Sequence, residues 1–267
     1  MSQNDGRPVP AIDVSRPHVA RMYDYYLGGK DNFQVDRDAV ARVAEAMPEI
    51  GMLAQQNRAF LRRAVRFMAR RGIRQFIDIG SGLPTAGNTH EIAQQINPDV
   101  RVVYIDNDPI VLAHGRALLA TDDNTTVATA DMRHPAEVLE HREVTRLIDF
   151  SAPVGVLLVA MVHFLTLDER PMVMGYLRDA LPSGSHLAAT HVTIDDNPPD
   201  VAAKIENVYA GTPTPIYFRD RAEIARFFEG FDLIEPGLVT IDSWCPDPSE
   251  PAHPIARWLY GAVGVLP

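Results

Sequence analysis

Asp78, Asp106, Asp131 and His163 each stand just after, or at the end of, an apolar β-rich run, where a strand would present them to a ligand. The first belongs to Asp78-x-Gly80-x-Gly82, which closes the run Gln75–Ile79. A Gly-x-Gly turn after a parallel strand turns backbone N–H groups toward a nucleotide-like ligand. A carboxylate two places before the first glycine would repel a pyrophosphate and suits a ligand with positive charge near the turn. A dinucleotide fingerprint needs a third glycine three residues after the second. Thr85 occupies that position, after Leu83 and Pro84, which disfavours a nicotinamide enzyme. Taken alone, the motif is equally compatible with a plain tight turn.

Asp106 follows Val100–Ile105 and comes 26 residues after Gly80. A carboxylate there can hold both hydroxyls of a ribose, each charge-assisted hydrogen bond contributing roughly 1.5–3 kcal/mol. Asp131-Met132 follows Thr126–Ala130. The aspartate can accept an adenine exocyclic amine, and Met132 offers a backbone N–H and an apolar surface for the ring. Either aspartate alone could simply cap the next helix. In order after a Gly-x-Gly strand, they describe an adenosine-bearing ligand. S-adenosylmethionine also carries the sulfonium and α-ammonium that Asp78 would favour.

His163 follows the run Val154–Val159, where an acceptor molecule would approach. As a general base it could contribute roughly 10²–10⁴-fold to a hydroxyl nucleophile. A histidine hydrogen-bonded at a strand end is the alternative. None of the nine histidines forms a pair with metal-ligand spacing, so no metal is expected. Arg58, Arg62, Arg66 and Arg70 recur at helical spacing and read as a solvated face. Arg58 is the exception, because the helix that enters the first strand can reach a ligand carboxylate.

Positioning these groups requires alternating strands and helices. Strands are expected at 75–79, 100–105, 126–130, 154–159 and 186–193. The helices between them fall at 88–96, 109–120, from Pro135, and at 168–181, with Asn88 and Glu91 as a capping box. This spacing implies an α/β, doubly wound, Rossmann-like and mostly parallel sheet of about seven strands. Helices at 198–209 and 220–229 form an insertion at about 195–230, carrying Tyr209, Tyr217 and Phe218. Strands at 231–241 and 255–265 would close one edge as an antiparallel hairpin. Residues 1–15 read as a tail, followed by helices at 16–27, 35–47 and 48–71. We therefore divide the chain into an N-terminal tail and helical cap, 1–72, and a cofactor domain, 73–267.

Tyr23 and Tyr26 share one face of the first helix, ahead of Gly28-Gly29 and the polar loop Lys30-Asp31-Asn32-Phe33. Such a segment reads as a lid over the cofactor, with tyrosine hydroxyls reaching a carboxylate of the ligand. The competing reading is that the tyrosines pack the helix onto the domain.

The net charge of −10 among 267 residues opposes a general nucleic-acid surface. A single cysteine, Cys245, cannot form an internal disulfide, which points to a reducing compartment. The polar first sixteen residues lack a signal-peptide core, and the longest apolar run, Val154 to Val162, is about half a membrane span. A cytoplasmic location is expected.

The order Asp-x-Gly-x-Gly, Asp106, Asp131-Met132 resembles the class I S-adenosylmethionine-dependent methyltransferases. More narrowly, His18 to Phe33, Gly82-Leu83-Pro84-Thr85 and Asn88-Thr89-His90-Glu91 resemble one bacterial family, the S-adenosyl methyltransferases, formerly labelled a domain of unknown function. The resemblance runs from about Arg16 to the end. It implies that Gly80, Ser81 and Gly82 wrap the methionine part, Asp106 and Asn107 the ribose, and Asp131 and Met132 the adenine. It also implies an Ala160 carbonyl near the amino group. Pro84 departs from loops that carry a third glycine. The expected activity is methyl transfer to a small-molecule acceptor by direct displacement. The alternative is a non-catalytic regulatory protein that binds S-adenosylmethionine or S-adenosylhomocysteine.

Overall fold

The computed structural model describes residues 13–84, 87–118 and 123–267. Five parallel strands make its centre: β1 (Gln75–Ile79), β2 (Arg101–Asp106), β3 (Thr125–Thr129), β4 (Gly155–Leu158) and β5 (His186–Val192). Every residue of β1, β4 and β5 is buried, as expected of parallel strands covered on both faces. Their order is β3-β2-β1-β4-β5, so the winding reverses between β1 and β4. Ligands of such sheets sit outside the carboxyl ends of the strands at that reversal.

The far edge is antiparallel and differs in detail from the expected hairpin. Residues 231–241 contain two strands of two residues, β6 (Asp232–Leu233) and β7 (Val239–Thr240), around a turn with Gly237 at φ 83°. Residues Pro254–Trp258 form a 3₁₀ turn, and only then does β8 (Leu259–Val265) begin. β8 lies between β5 and β6 and pairs antiparallel with β5, β6 and β7, giving eight strands.

Three helices precede the sheet: α1 (Val19–Tyr26), α2 (Gln34–Ala46) and α3 (Ile50–Arg70). The turn after α1 is built on Asp24, whose carboxylate accepts from Asn32 Nδ2 at 2.8 Å and the Asp31 N–H at 3.0 Å. Gly29 is required there, because a Cβ would lie 1.9 Å from Asp24 Oδ1. Asp36, fully buried in α2, accepts the His18 and Phe33 N–H groups, and Arg21 lies 3.6 Å from both Asp36 and Asp108. This cluster pins the N-terminal helices to the loop after β2.

α3 buries Phe60, Leu61, Ala64, Val65 and Met68. The arginine stripe is not simply a solvated face. Arg62 pairs with Glu250 at 2.7 Å and Arg66 with Asp247 at 3.3 Å, because the loop before β8 folds back over α3.

The crossover helices are α4 (Thr89–Gln94), α5 (Pro109–Leu118), α6 (Pro135–Leu139), α7 (Arg142–Leu147) and α8 (Glu169–Ala180). The helix expected from Pro135 is divided in two, since His141 Nδ1 accepts the Glu143 N–H and restarts the chain as α7. Asn88 and Glu91 form the expected capping box of α4. After β5 come α9 (Pro199–Tyr209) and α10 (Arg221–Ala225), the latter ending in a 3₁₀ turn rather than continuing to 229. No helix among the described residues is long and apolar enough to cross a membrane.

Candidate functional site

The turn after β1 is held from beneath. Gly80 and Ser81 both donate N–H groups to the Ile105 carbonyl of β2, at 2.7 and 3.1 Å. Gly80 has φ +74°, and a Cβ there would stand 1.9 Å from the Met161 sulfur. Glycine is therefore required twice over, by its left-handed backbone and by the packing of Met161. Gly82, at φ +66°, faces open space.

Three aspartates surround this turn, in different electrostatic states. Asp78 lies at the end of β1 and accepts from Thr89 Oγ1 at 2.6 Å. Burial pushes its carboxyl up to about 6, opposed by the Thr89 bond and the Arg58 charge. Asp106 accepts the Gly82 N–H at 2.9 Å and the Asp108 N–H at 2.9 Å, so it ties the end of β2 to the turn. Burial raises its pKa, and those two N–H groups offset part of the rise. For Asp131 burial also acts upward, but the Arg133 hydrogen bonds outweigh it and hold the carboxyl below its ordinary range. Asn107 Nδ2 adds a contact at 3.2 Å. The Arg133 clamp was not anticipated from the sequence, although the arginine follows Asp131-Met132 directly.

A cleft enclosing about 1400 Å³ of space, its mouth included, brings the expected residues together. Tyr23, Arg58, Asp78, Gly80, Ser81, Gly82, Asp106, Asn107, Asp131, Met132, Ala160 and His163 all line it. Thr85 lies outside the described residues, as does most of the expected N-terminal tail.

Polar atoms inside the cleft wait for partners. Arg58 Nε, Ser81 Oγ and His163 Nδ1 are buried without a hydrogen bond among the described residues. Arg58 spends one Nη2 bond on the Gly87 carbonyl at 3.1 Å. A cation and a hydroxyl left open in this way suit a carboxylate, while the Asp78 carboxyl suits a cation. The donor set fits the amino-acid end of S-adenosylmethionine.

Behind the cleft runs a chain that sequence reasoning missed. The Ala160 N–H donates to Thr190 Oγ1 at 2.7 Å, and Thr190 donates to Asn57 Oδ1 at 2.9 Å. Asn57 Nδ2 donates to the Tyr23 hydroxyl at 3.0 Å, which donates to the Ala54 carbonyl at 3.3 Å. Ala160 sits at φ +59°, a left-handed conformation that costs a non-glycine residue roughly 1–2 kcal/mol. Asn57 left one trace in the sequence, as a polar residue on the apolar stripe that contains Leu53, Ala54, Phe60 and Leu61.

His163 is 4% exposed, its ring 4.4 Å from Phe164 and 5.7 Å from His191. Burial, reinforced by the Arg219 charge, lowers its pKa to about 3. The imidazole is neutral throughout the physiological range and is a weak base. His191, paired with Arg219 at 2.8 Å, is a buried partner the sequence did not single out.

Tyr26 packs edge to face with Tyr23, ring centroids 6.3 Å apart, and its hydroxyl meets that of Tyr209 of α9 at 3.1 Å. From there the cleft continues as a chamber of apolar side chains. Leu53 and Ile50 come from α3, and Phe164, Ile205, Ile216 and Phe218 from the opposite side.

A parallel sheet with this reversal, glycine turn and set of strand-end aspartates defines a Rossmann-like cofactor site of the methyltransferase type. The chain belongs to the S-adenosyl methyltransferase family, whose model matches residues 5–267, and its cofactor is S-adenosylmethionine. It is similar to a candidate methyltransferase of known structure from Thermobifida fusca YX. The two are 44% identical over 97% of this chain and 98% of that one, with a TM-score of 0.89. A DUF574 family protein from Streptomyces avermitilis MA-4680 is 38% identical, over 96% and 100% of the two chains, with a TM-score of 0.90. Human N-acetylserotonin methyltransferase, solved in complex with SAM, shares the fold alone. Its identity is 10%, its TM-score 0.51, and the coverage 95% of this chain and 63% of that one. Comparison with curated proteins returns no match.

Proposed function

We propose that the protein transfers the methyl group of S-adenosylmethionine to a small-molecule acceptor by direct displacement. The observation that carries this reading is the division of one cleft into two parts. Charged groups gather at the ends of β1, β2 and β3, and an apolar chamber lies over the ends of β4 and β5. Bound S-adenosylmethionine supplies an electrophilic methyl group, taken by a lone pair of the acceptor while the carbon–sulfur bonding pair stays on sulfur. The protein's part is then alignment, which can supply roughly 7–11 kcal/mol.

In this reading Arg58 and Ser81 hold the cofactor carboxylate, with Gly80 and Gly82 around the methionine chain. Asp78 and the Ala160 carbonyl face its positive end. Asp106 and Asn107 take the ribose, and Asp131 and Met132 the adenine. Residues 1–72 act as the cap, with Tyr23 closing over residues 73–267. His163 was expected as a general base; its low basicity favours a neutral hydrogen-bond partner that orients the acceptor, whose own proton, where it carries one, is lost to solvent. The acidic net charge supports a role without nucleic acid, and the proposed setting is the cytoplasm of a bacterium.

A thermal-shift panel with S-adenosylmethionine, S-adenosylhomocysteine and NAD tests the cofactor part. A ligand at 100 times its Kd adds about 2.7 kcal/mol and moves the midpoint by roughly 5–10 °C. Both sulfur compounds are expected to shift it; a shift with NAD alone would overturn the reading. Cofactor binding with no turnover across an acceptor screen would return the regulatory alternative.

A further inference from the structure

The acceptor chamber has a chemical character of its own. Five charged residues line the cleft among those described: Arg58, Asp78, Asp106, Asp131 and Arg133. All five flank the glycine turn or the ends of β2 and β3. On the other side, Phe164, Ile205, Ile216 and Phe218 offer only hydrocarbon, and His163 is neutral. Arg219 lies behind this wall and does not line the cleft. Its guanidinium donates to the Leu165 carbonyl at 2.6 Å and meets His191 at 2.8 Å. A charged molecule in the chamber would lose its hydration and find no counter-ion among the side chains of the chamber itself.

Besides Thr214, this side carries a pair of tyrosine hydroxyls. The Tyr26 and Tyr209 hydroxyls are buried, and each has only the other as a hydrogen-bond partner among the described residues. Burial raises the pKa of both, that of Tyr209 to about 12, so both keep their protons near neutral pH. Two O–H donors share a single bond between them, which leaves one donor over. The Phe164 and Tyr209 rings lie nearly parallel with centroids 6.3 Å apart, giving the chamber a flat aromatic flank.

Resting on the methyltransferase reading above, we propose that the acceptor is an uncharged, largely apolar ring compound. It presents a hydrogen-bond-accepting oxygen or nitrogen to the Tyr26–Tyr209 pair. Specificity then comes from exclusion as well as attraction, since the chamber rejects carboxylated, sulfonated and phosphorylated relatives of its substrate for want of a counter-charge.

Two fluorescent probes with the same rings test this on the full chain saturated with S-adenosylmethionine. N-phenyl-1-naphthylamine is uncharged, and 1-anilinonaphthalene-8-sulfonate adds a sulfonate. The neutral probe is expected to bind at least about tenfold more tightly. Ile205→Trp and Ile216→Phe, which fill the chamber from α9 and from the segment after it, should each weaken it by about tenfold while keeping the cofactor thermal shift. Equal or tighter binding of the sulfonate to the wild-type protein overturns the proposal, whether or not the variants fold. So does neutral-probe binding that survives in both folded variants. For the hydroxyl pair, 2-acetylnaphthalene should displace the probe better than 2-ethylnaphthalene, and the double variant Tyr26→Phe/Tyr209→Phe should erase that difference. A difference that persists removes the tyrosines from the proposal. Loss of the S-adenosylmethionine shift in wild type would instead defeat the methyltransferase reading itself, so the two failures are distinguishable.

Discussion

Asn57 and Thr190 are 133 residues apart and share a hydrogen bond of 2.9 Å that joins α3 to β5 behind the cofactor cleft. Through it the Tyr23 hydroxyl on the N-terminal cap is linked to the strained backbone of Ala160 at the end of β4. Replacing Asn57 by Ala strands the Thr190 hydroxyl and removes a donor from Tyr23, both in buried surroundings. The expected cost is about 2 kcal/mol, or roughly 4–8 °C in Tm. Thr190→Val keeps the shape but leaves the Ala160 N–H unpaired, and should weaken S-adenosylmethionine binding more than its loss of stability suggests. Denaturant titrations paired with cofactor titrations check both. Unchanged cofactor affinity in Thr190→Val would reduce the relay to a packing feature.

Asp78 has a cost in the empty protein. Its carboxyl is raised from 3.8 to about 6 by burial, so the folded state binds its proton more tightly than the unfolded chain. Its contribution to stability is therefore lost as pH climbs from about 4 to 6 and stays lost above. A rise of about two pKa units corresponds to roughly 3 kcal/mol. Asp78→Asn should accordingly raise Tm of the ligand-free protein at pH 7.5, with the advantage vanishing near pH 4. It should also bind S-adenosylmethionine more weakly. Wild-type cofactor affinity should fall as pH drops through about 6, when the carboxylate becomes neutral. Calorimetric titrations at pH 5.5 and 7.5 read this directly, and a flat pH dependence would separate Asp78 from the ligand's positive end.

His163 makes the opposite prediction. With a pKa near 3, its imidazole does not titrate between pH 5 and 9, so it contributes no limb to a kcat/KM profile in that range. His163→Gln preserves a hydrogen-bonding side chain and should retain more turnover than His163→Ala, with profiles of the same shape as wild type. A wild-type limb near pH 6 to 7 that disappears in His163→Gln would restore the general base.

Gly80 and Met161 form a coupled pair. Gly80→Ala places a Cβ where the Met161 side chain lies and demands a left-handed alanine. Cofactor affinity should drop by at least about tenfold. Adding Met161→Ala relieves the clash but not the backbone strain, so the double variant should recover part of the affinity. Additive losses would show the two positions to be independent.

The sequence was most informative where the candidate site is built from short local patterns. Asp78-x-Gly80-x-Gly82, Asp106 and Asp131-Met132 each follow a strand, and the winding of a parallel sheet delivers such positions to one edge without further information. What escaped depends on contacts between distant segments. Tyr26 and Tyr209 are 183 residues apart, and Arg62 and Glu250 are 188 apart. A single chain carries no signal for such pairs. The arginine stripe looked solvated because the loop that covers it comes near the other end of the chain. The antiparallel edge is present as expected, and only its bounds escaped, for a similar reason: β6 and β7 have only two residues each and both pair with β8.

The central claim is methyl transfer to a small molecule, and one measurement addresses it most directly. Purified protein is incubated with methyl-labelled S-adenosylmethionine and a low-molecular-weight extract of bacterial cells, and label and S-adenosylhomocysteine are followed together. The account predicts labelled, uncharged small molecules in amounts matching the S-adenosylhomocysteine formed. Label confined to protein or nucleic acid, or cofactor binding with no S-adenosylhomocysteine produced, would contradict it.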